Sequence, residues 1–584
     1  MSLFKIAKIS TLVVIIIFAA GCGGKKEKKN EVVVHALSDT DMLNPTNYQS
    51  AEAGYYIGKL FSAALTYDPI SLELIPLLVE ALPEVEVDTT TGVSKYTYKI
   101  RKEAKWDNGE PITAKDAVFS LKVYKCPGVN NEQIKPYFES ISDVILYPED
   151  PLKYTVVCDK VYHLNLEMSG QFLFIPAYVY DPKGLLEEFP LADFNTKTEE
   201  LAANAKVKEF ANEYNSEKYQ REKGFVVGSG PYEFDQWQPG VKITLKKKKN
   251  YWGDELFKKG LKQFEANPDK LVYQTINDQT AALVALKGLK LDVMSGIKAK
   301  DWVTDVTQSD KIKENFWLST PPSMSYTYFG INQRNPKFED KNVRKALAHL
   351  VDVDKIIEVI GYGLAQRVTG FIHPSKTIYY NDKIIPYDFN IDKAKKMLAD
   401  AGWKDSNGNG TIDKVINGQL TEFNITFTYN NGNDARRDAA LIFKEAAREA
   451  GINVDVVPQE WSIYIQNQKN HNFEMFYGGW ISGVGESDPK QIFHTESING
   501  GSNYTYFGNA ESDAIIEAIR SEMDKEKRAE HYKKLQEIIY DEVPYIFLSA
   551  PKERIAISKR FEEVQTSPLR PGYFEETFRF SQVD

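Results

Sequence analysis

One stretch, residues 9–20 (ISTLVVIIIFAA), is apolar and continuous, and no second long run like it follows. The body downstream is therefore expected to have no further membrane-crossing helix. The stretch is shorter than the ~20 apolar residues a membrane-crossing helix needs. It follows Lys5 and Lys8 and ends in small residues, which fits the apolar centre of a secretory signal. The roughly 560 residues beyond it suffice for two to four domains' worth of core. Hydrophobic residues at 42% and charged residues at 26% are ordinary for a globular body. Net charge is −10, and −12 without Lys5 and Lys8, so phosphate backbones are repelled and nucleic acid is excluded as a partner. The chain has no GxSxG elbow, no HExxH motif and only seven scattered histidines, so it reads as a binder and not an enzyme. A surface-anchored hydrolase stays open as the rival, because paired carboxylates meet only in the fold. A third reading is a non-catalytic surface sensor of a small solute.

The pattern along the chain mixes strands and helices without an internal repeat. Val32-Val33-Val34 opens a strand, and residues 96–101 alternate as a half-buried strand should. Thr113, followed three residues later by Asp116, marks a helix start. Gly228-Ser229-Gly230-Pro231 turns into a strand at Tyr232, and residues 241–245 alternate again before the Lys246–Lys249 run, read as a solvated strand end. Asp340 caps a helix whose apolar face is Val343, Ala346, Leu347, Leu350 and Val351. Asn390 opens another, stopped at Gly402, and Tyr532, Leu535, Ile538 and Ile539 mark the last before Pro544. Residues 545–548 form a buried strand, and the return of C-terminal strands to a sheet built earlier implies two lobes joined by more than one crossing. The 33 Tyr, 31 Phe and 8 Trp also suit a site that grips ligands through aromatic faces.

Ala19-Ala20-Gly21-Cys22 resembles a bacterial lipobox, with Ala19 in place of the usual Leu. That resemblance implies a signal peptide over 1–21, acylation of Cys22, a charged tether over 22–30 (GGKKEKKN at 23–30), and export to a periplasmic or cell-surface face of a membrane. Nearly all of the remaining chain resembles the extracellular solute-binding proteins of family 5, which serve ABC importers of oligopeptides, dipeptides and nickel. The blocks are residues 96–101 with Trp106-Asp107-Asn108-Gly109-Glu110-Pro111 through Asp116; residues 227–232 with Asn250-Tyr251-Trp252; residues 285–288 with Leu291-Asp292-Val293; Asn332 with residues 338–347; and Gly478-Gly479-Trp480 with Asp488-Pro489.

The resemblance implies an α/β, bilobal Venus-flytrap body of the periplasmic-binding type II, cluster C, with an extra domain in the first lobe. Its division would be 31–63, 180–301 and 547–584 for lobe I, 64–179 for the additional domain, and 302–546 for lobe II. A peptide or similar small solute would sit between the lobes and favour their closed form. A membrane permease would receive it, and partner ATPase subunits would supply the energy, since this chain lacks GxxxxGK[ST]. The chain would act as a monomer without a required cofactor. Trp461 and Trp480 match cleft-lining positions. Peptide-binding relatives carry an aspartate three residues after the second Trp, where this chain has Gly483; Glu486 or Asp488 would have to take over the peptide's α-amino group. Tyr48, Ser50 and Tyr328 are further cleft candidates.

Two features allow more than one outcome. Asp405, Asn407, Asn409, Gly410 and Asp413 follow the first nine positions of an EF-hand loop, but position 12 is Ile416. Either a weak structural calcium site or an Asn/Gly turn satisfies that spacing. Cys126 and Cys158 either pair or serve as small buried apolar residues.

Overall fold

The computed structural model describes residues 30–88 and 90–581. The signal, Cys22 and nearly all of the tether lie outside the described residues. No helix among the described residues is long and apolar enough to cross a membrane.

Two large sheets carry the fold. The first has seven strands in the order Phe316–Ser319, Ile555–Ser558, Val293–Met294, Glu31–Ala36, Lys270–Thr275, Lys242–Lys247 and Tyr232–Gln238. Glu31–Ala36 lies in parallel between Lys270–Thr275 and Val293–Met294. Val32 and Val34 enter the main core on one face, while Val33 packs against the cluster around helix Gln279–Lys287 on the other. A strand covered on both faces reads as an apolar run, as Val32-Val33-Val34 does.

The second sheet has five strands, ordered Asn453–Gln459, Asn424–Asn430, Met475–Ile481, Ser325–Ile331 and Tyr545–Phe547. Phe329, Ile331 and Phe427 face the helices Lys341–His349 and Asp434–Glu449. Tyr326, Tyr328, Phe476 and Phe547 face Ala510–Ser521 and Lys525–Glu542. A four-stranded antiparallel sheet, Glu84–Asp88, Val93–Lys99, Lys153–Cys158 and Ile141–Leu146, shares one continuous core with the first large sheet. The chain passes between the large sheets after Ser319 and again after Phe547. One placement departs from the expected division: Phe316–Ser319, assigned above to the second lobe, pairs with Ile555–Ser558 in the first sheet.

Local signals explain the elements. Helix Ala114–Lys125 starts at Thr113, where the Asp116 carboxylate accepts from the Thr113 N–H at 2.7 Å, its hydroxyl at 3.0 Å and the Trp106 indole at 3.2 Å. The Asp340 and Asn390 side chains cap their helices. Gly230 lets the 227–232 block sit against the end of helix Ala51–Leu60: its N–H donates to Leu60 O at 2.8 Å, and a Cβ there would overlap the Lys59 carbonyl. Lys248 is not solvated but buried, pairing with Asp107 at 2.6 Å and donating to Gly228 O. Cys126 and Cys158 are unpaired and fully buried, and burial pushes both thiols up to about 12.

The 405–413 segment is an Asn/Gly turn, which corrects the calcium alternative. Asp405 spends its carboxylate on the N–H groups of Gly408, Asn409 and Gly410, and buried Asp413 accepts from the Ser406 N–H and hydroxyl. Asn407 accepts from the Asn409 N–H, and the Asn409 amide donates to Glu422. Among the described residues no group of three or more His, Cys, Asp or Glu is placed to hold a metal.

Arg344, inside the 338–347 block, is buried and donates to the carbonyls of Phe338, Glu339 and Glu542 and to the Glu542 carboxylate at 2.9 Å. Arg344→Ala strands these acceptors and is expected to cost about 3 kcal/mol in urea denaturation. Lys345→Ala, which removes only a partly exposed pair with Asp541, is expected to cost under about 1 kcal/mol.

Candidate functional site

In an open α/β sheet, ligands bind beyond the carboxyl ends of parallel strands, where loops diverge and helix N-termini begin. Both large sheets offer such an edge. In the first, Ala36, Thr275 and Met294 end side by side, and residues 37–50 lead from Ala36 into helix Ala51–Leu60. In the second, Asn424–Asn430 runs parallel to Asn453–Gln459 and Met475–Ile481, so Asn430, Gln459 and Ile481 share one edge. Trp461 begins the helix after Gln459, Trp480 is the penultimate residue of its strand, and residues 482–489 follow.

That last loop joins the lobes. On its own lobe every residue from Gly485 to Asp488 is held. Lys376 Nζ donates to Gly485 O at 2.5 Å, Arg528 makes a two-pronged pair with Glu486 at 2.5 and 2.6 Å, and the Tyr379 hydroxyl donates to Glu486 at 2.5 Å. Tyr532 donates to Ser487 O, and Arg520 Nε pairs with Asp488 at 2.9 Å. Across the gap, the Tyr162 hydroxyl donates to Asp488 at 2.9 Å, the His163 N–H donates to Arg520 O at 2.9 Å, and the Glu486 N–H reaches Glu167 Oε1 at 3.3 Å. The Arg520 guanidinium lies 5.2 Å from the centre of the Tyr162 ring. The Tyr67 hydroxyl is buried between Glu167 and Gln171 without a well-directed hydrogen bond.

The electrostatics follow from this packing. Burial raises the Glu486 carboxyl, but Arg528 and Tyr379 outweigh it and hold the group below its ordinary value. Glu167 is raised, because burial exceeds the help from Tyr67 and the Glu486 N–H. Burial lowers Lys376 to about 8 against the pull of Glu167 and Glu486, and lowers His163 to about 4.

Beside this junction lies a cavity of about 390 Å³ whose walls include Tyr48, Ile57, Tyr137, Met168 and Leu173. Gly54 and Gly58 also line it, from one face of helix Ala51–Leu60. An added Cβ at Gly58 meets nothing within 4 Å. Tyr137 on this wall feels the charge of Asp488, and Met168 and Gln171 share a helix with Glu167.

The sequence candidates separate accordingly. Tyr48 lines the cavity. Ser50 caps its helix, accepting from the Ala53 N–H and donating to Asp41 at 2.7 Å. Tyr328 is 1% exposed and stacks on Tyr545 at 3.7 Å, so it belongs to the core. Trp480 is half-buried on Tyr504, and Trp461 is 58% exposed near Tyr464. Gly483 faces open space: a Cβ added there would have only Gly485 N beside it, at 4.0 Å. Glu486 and Asp488 are committed to arginines. Sequence reasoning missed Tyr67, Tyr162, His163, Glu167, Lys376, Arg520 and Arg528, which no local pattern distinguishes from other buried polar residues.

Comparisons with known proteins agree with this architecture. The chain is 28% identical to the oligopeptide-binding protein AppA of Bacillus subtilis, over 97% of this chain and 96% of that one. It is 25% identical to the dipeptide-binding protein of Escherichia coli, over 88% and 91%. The crystal structure of Bacillus subtilis AppA with a nonapeptide superposes with a TM-score of 0.69 at 25% identity, covering 94% of this chain and 99% of that one. The substrate-binding protein CtaP of Listeria monocytogenes, at 20% identity, shares the fold with a TM-score of 0.74 over 95% and 100%. The family described as bacterial extracellular solute-binding proteins, family 5 Middle, matches residues 73–501, and the chain belongs to that family.

Proposed function

We propose that this chain is the substrate-binding component of an ABC importer, taking up a peptide between its two lobes and passing it unchanged to a permease driven by ATPase subunits. The observation that carries the reading is a loop, leaving the strand-end edge of the second sheet, that touches the other lobe, in a family whose relatives include oligopeptide- and dipeptide-binding proteins. The lipobox-like Ala19-Ala20-Gly21-Cys22 supports export and anchoring through lipid on Cys22. Trp461 and Trp480 stand at the second-lobe edge, where an aromatic face covers a ligand side chain of almost any type. The cavity at Tyr48 takes an apolar side chain of the ligand.

Recognition of the peptide amine is weak in this reading. Gly483 offers no carboxylate, and Glu486 and Asp488 already have their charges matched by Arg528 and Arg520. Calorimetry with a random-sequence nonapeptide library, followed by mass analysis of the recovered peptides, tests the proposal: heat of binding with intact peptides supports it, and cleavage or no binding overturns it.

Three substitutions sharpen the test. Trp480→Ala is expected to weaken library binding by about 2 kcal/mol, roughly 30-fold. Gly483→Asp is expected to create a preference of about tenfold for free over N-acetylated peptides, which calorimetry on matched pairs reads directly. Gly58→Leu fills the cavity from a helix position that tolerates a side chain, and is expected to lose about tenfold in affinity for peptides with a large apolar residue while leaving the thermal midpoint unchanged or higher.

A further inference from the structure

Gly485 is not a glycine for the sake of its backbone, since it is absent from the positions with positive φ. The three atoms nearest to a Cβ there do not come from its own lobe, which supplies the Lys376 hydrogen bond to its carbonyl, a bond any residue would keep. The demand comes from across the cleft. A Cβ at 485 would overlap the Tyr67 hydroxyl and sit 2.6 and 2.9 Å from the two Glu167 carboxylate oxygens. The Glu167 carboxylate ends a flexible side chain and can swing. Tyr67 is a rigid ring on strand Leu65–Tyr67 and cannot. By contrast, Gly483, two residues earlier, meets open space.

We infer that Gly485 seated against Tyr67 and Glu167 is the closure stop of this receptor, a contact that sets how far the lobes approach and so how tightly solute is held, without touching the solute itself. The loop suits that role because it is rigid before it docks. Arg528, Tyr379, Tyr532 and Arg520 fix residues 486–488 from the second lobe, so closing the lobes orders little additional chain. Affinity of a two-state receptor scales with the fraction able to close, and a residue that obstructs closure lowers it with every solute alike. Gly485 is thus a positioning residue, and the inference rests on the solute-binding reading, while the distance measurement without solute in its test does not.

The experiment measures lobe separation by pulsed electron resonance between spin labels on Glu86→Cys and Glu530→Cys, both exposed and on opposite lobes. Cys126 and Cys158 are buried and stay unlabelled. Distances are taken without solute and with the random nonapeptide library, in the otherwise native sequence, in Gly485→Ala, in Tyr67→Phe and in the double variant. The expected result is a short-distance population in the native sequence that Gly485→Ala loses in both conditions, with at least a tenfold weaker apparent Kd and a thermal midpoint unchanged. Tyr67→Phe alone changes affinity less than threefold, and added to Gly485→Ala it restores at least half of the logarithmic loss, because the overlapped oxygen is gone. An unaltered short-distance population in Gly485→Ala, no recovery in the double variant, or no short-distance population in the native sequence overturns the inference. A closed population that forms while the library fails to bind leaves the stop standing and sinks the peptide reading instead.

Discussion

Two short chain segments carry every motion of one lobe against the other, and they are bonded to each other. Residues 320–324 and 548–554 run antiparallel: the Ser323 N–H donates to Pro551 O at 3.0 Å, and the Glu553 N–H donates to Pro321 O at 2.8 Å. Strand Ala365–Arg367 pairs with Ser549–Pro551 and stiffens the second crossing from the second-lobe side. A pair of bonded crossings restricts the lobes to bending about one line rather than swivelling freely. The loop at 485–488 contacts the opposite lobe through Tyr162 and Glu167, residues more than 300 positions away in sequence.

Two ion pairs of the junction are matched within one lobe before the other arrives. Arg528 with Glu486 and Arg520 with Asp488 are pairs internal to the second lobe, so closing does not require two isolated charges to lose water together. What crosses the gap joins neutral groups to charged ones: the Tyr162 hydroxyl to the Asp488 carboxylate, the Glu486 N–H to the Glu167 carboxylate and the Tyr162 ring to the Arg520 guanidinium, with one neutral bond from the His163 N–H to Arg520 O. A hydrogen bond to a charged group is worth about 1.5–3 kcal/mol net and a neutral one about 1 kcal/mol. A receptor that must release its cargo needs a closed state that is favoured by the solute and not locked by the protein.

The sequence revealed best what is local. Thr113 with Asp116, Asp340 and Asn390 cap the helices expected of them, because a cap is written within four residues. It revealed poorly what is decided by covering both faces of a sheet. In Ser325–Ile331, Tyr326 and Tyr328 enter one core cluster while Phe329 and Ile331 enter another, so alternation could not separate a cleft tyrosine from a core one. Phe316–Ser319 escaped assignment to the first sheet because its partner strand comes some 240 residues later. Lys248 reads as one of four solvated lysines and is buried on Asp107. Gly485 carries no sequence signal that sets it apart from Gly483, and only the opposite lobe distinguishes them.

The central claim is that a solute is held between these two lobes and leaves chemically unchanged. Native mass spectrometry of gently purified protein, with the released ligand then sequenced, tests it most directly. The account predicts a one-to-one complex that yields intact peptides of mixed sequence. Recovery of hydrolysed fragments, or of a single solute that is not a peptide, would contradict it.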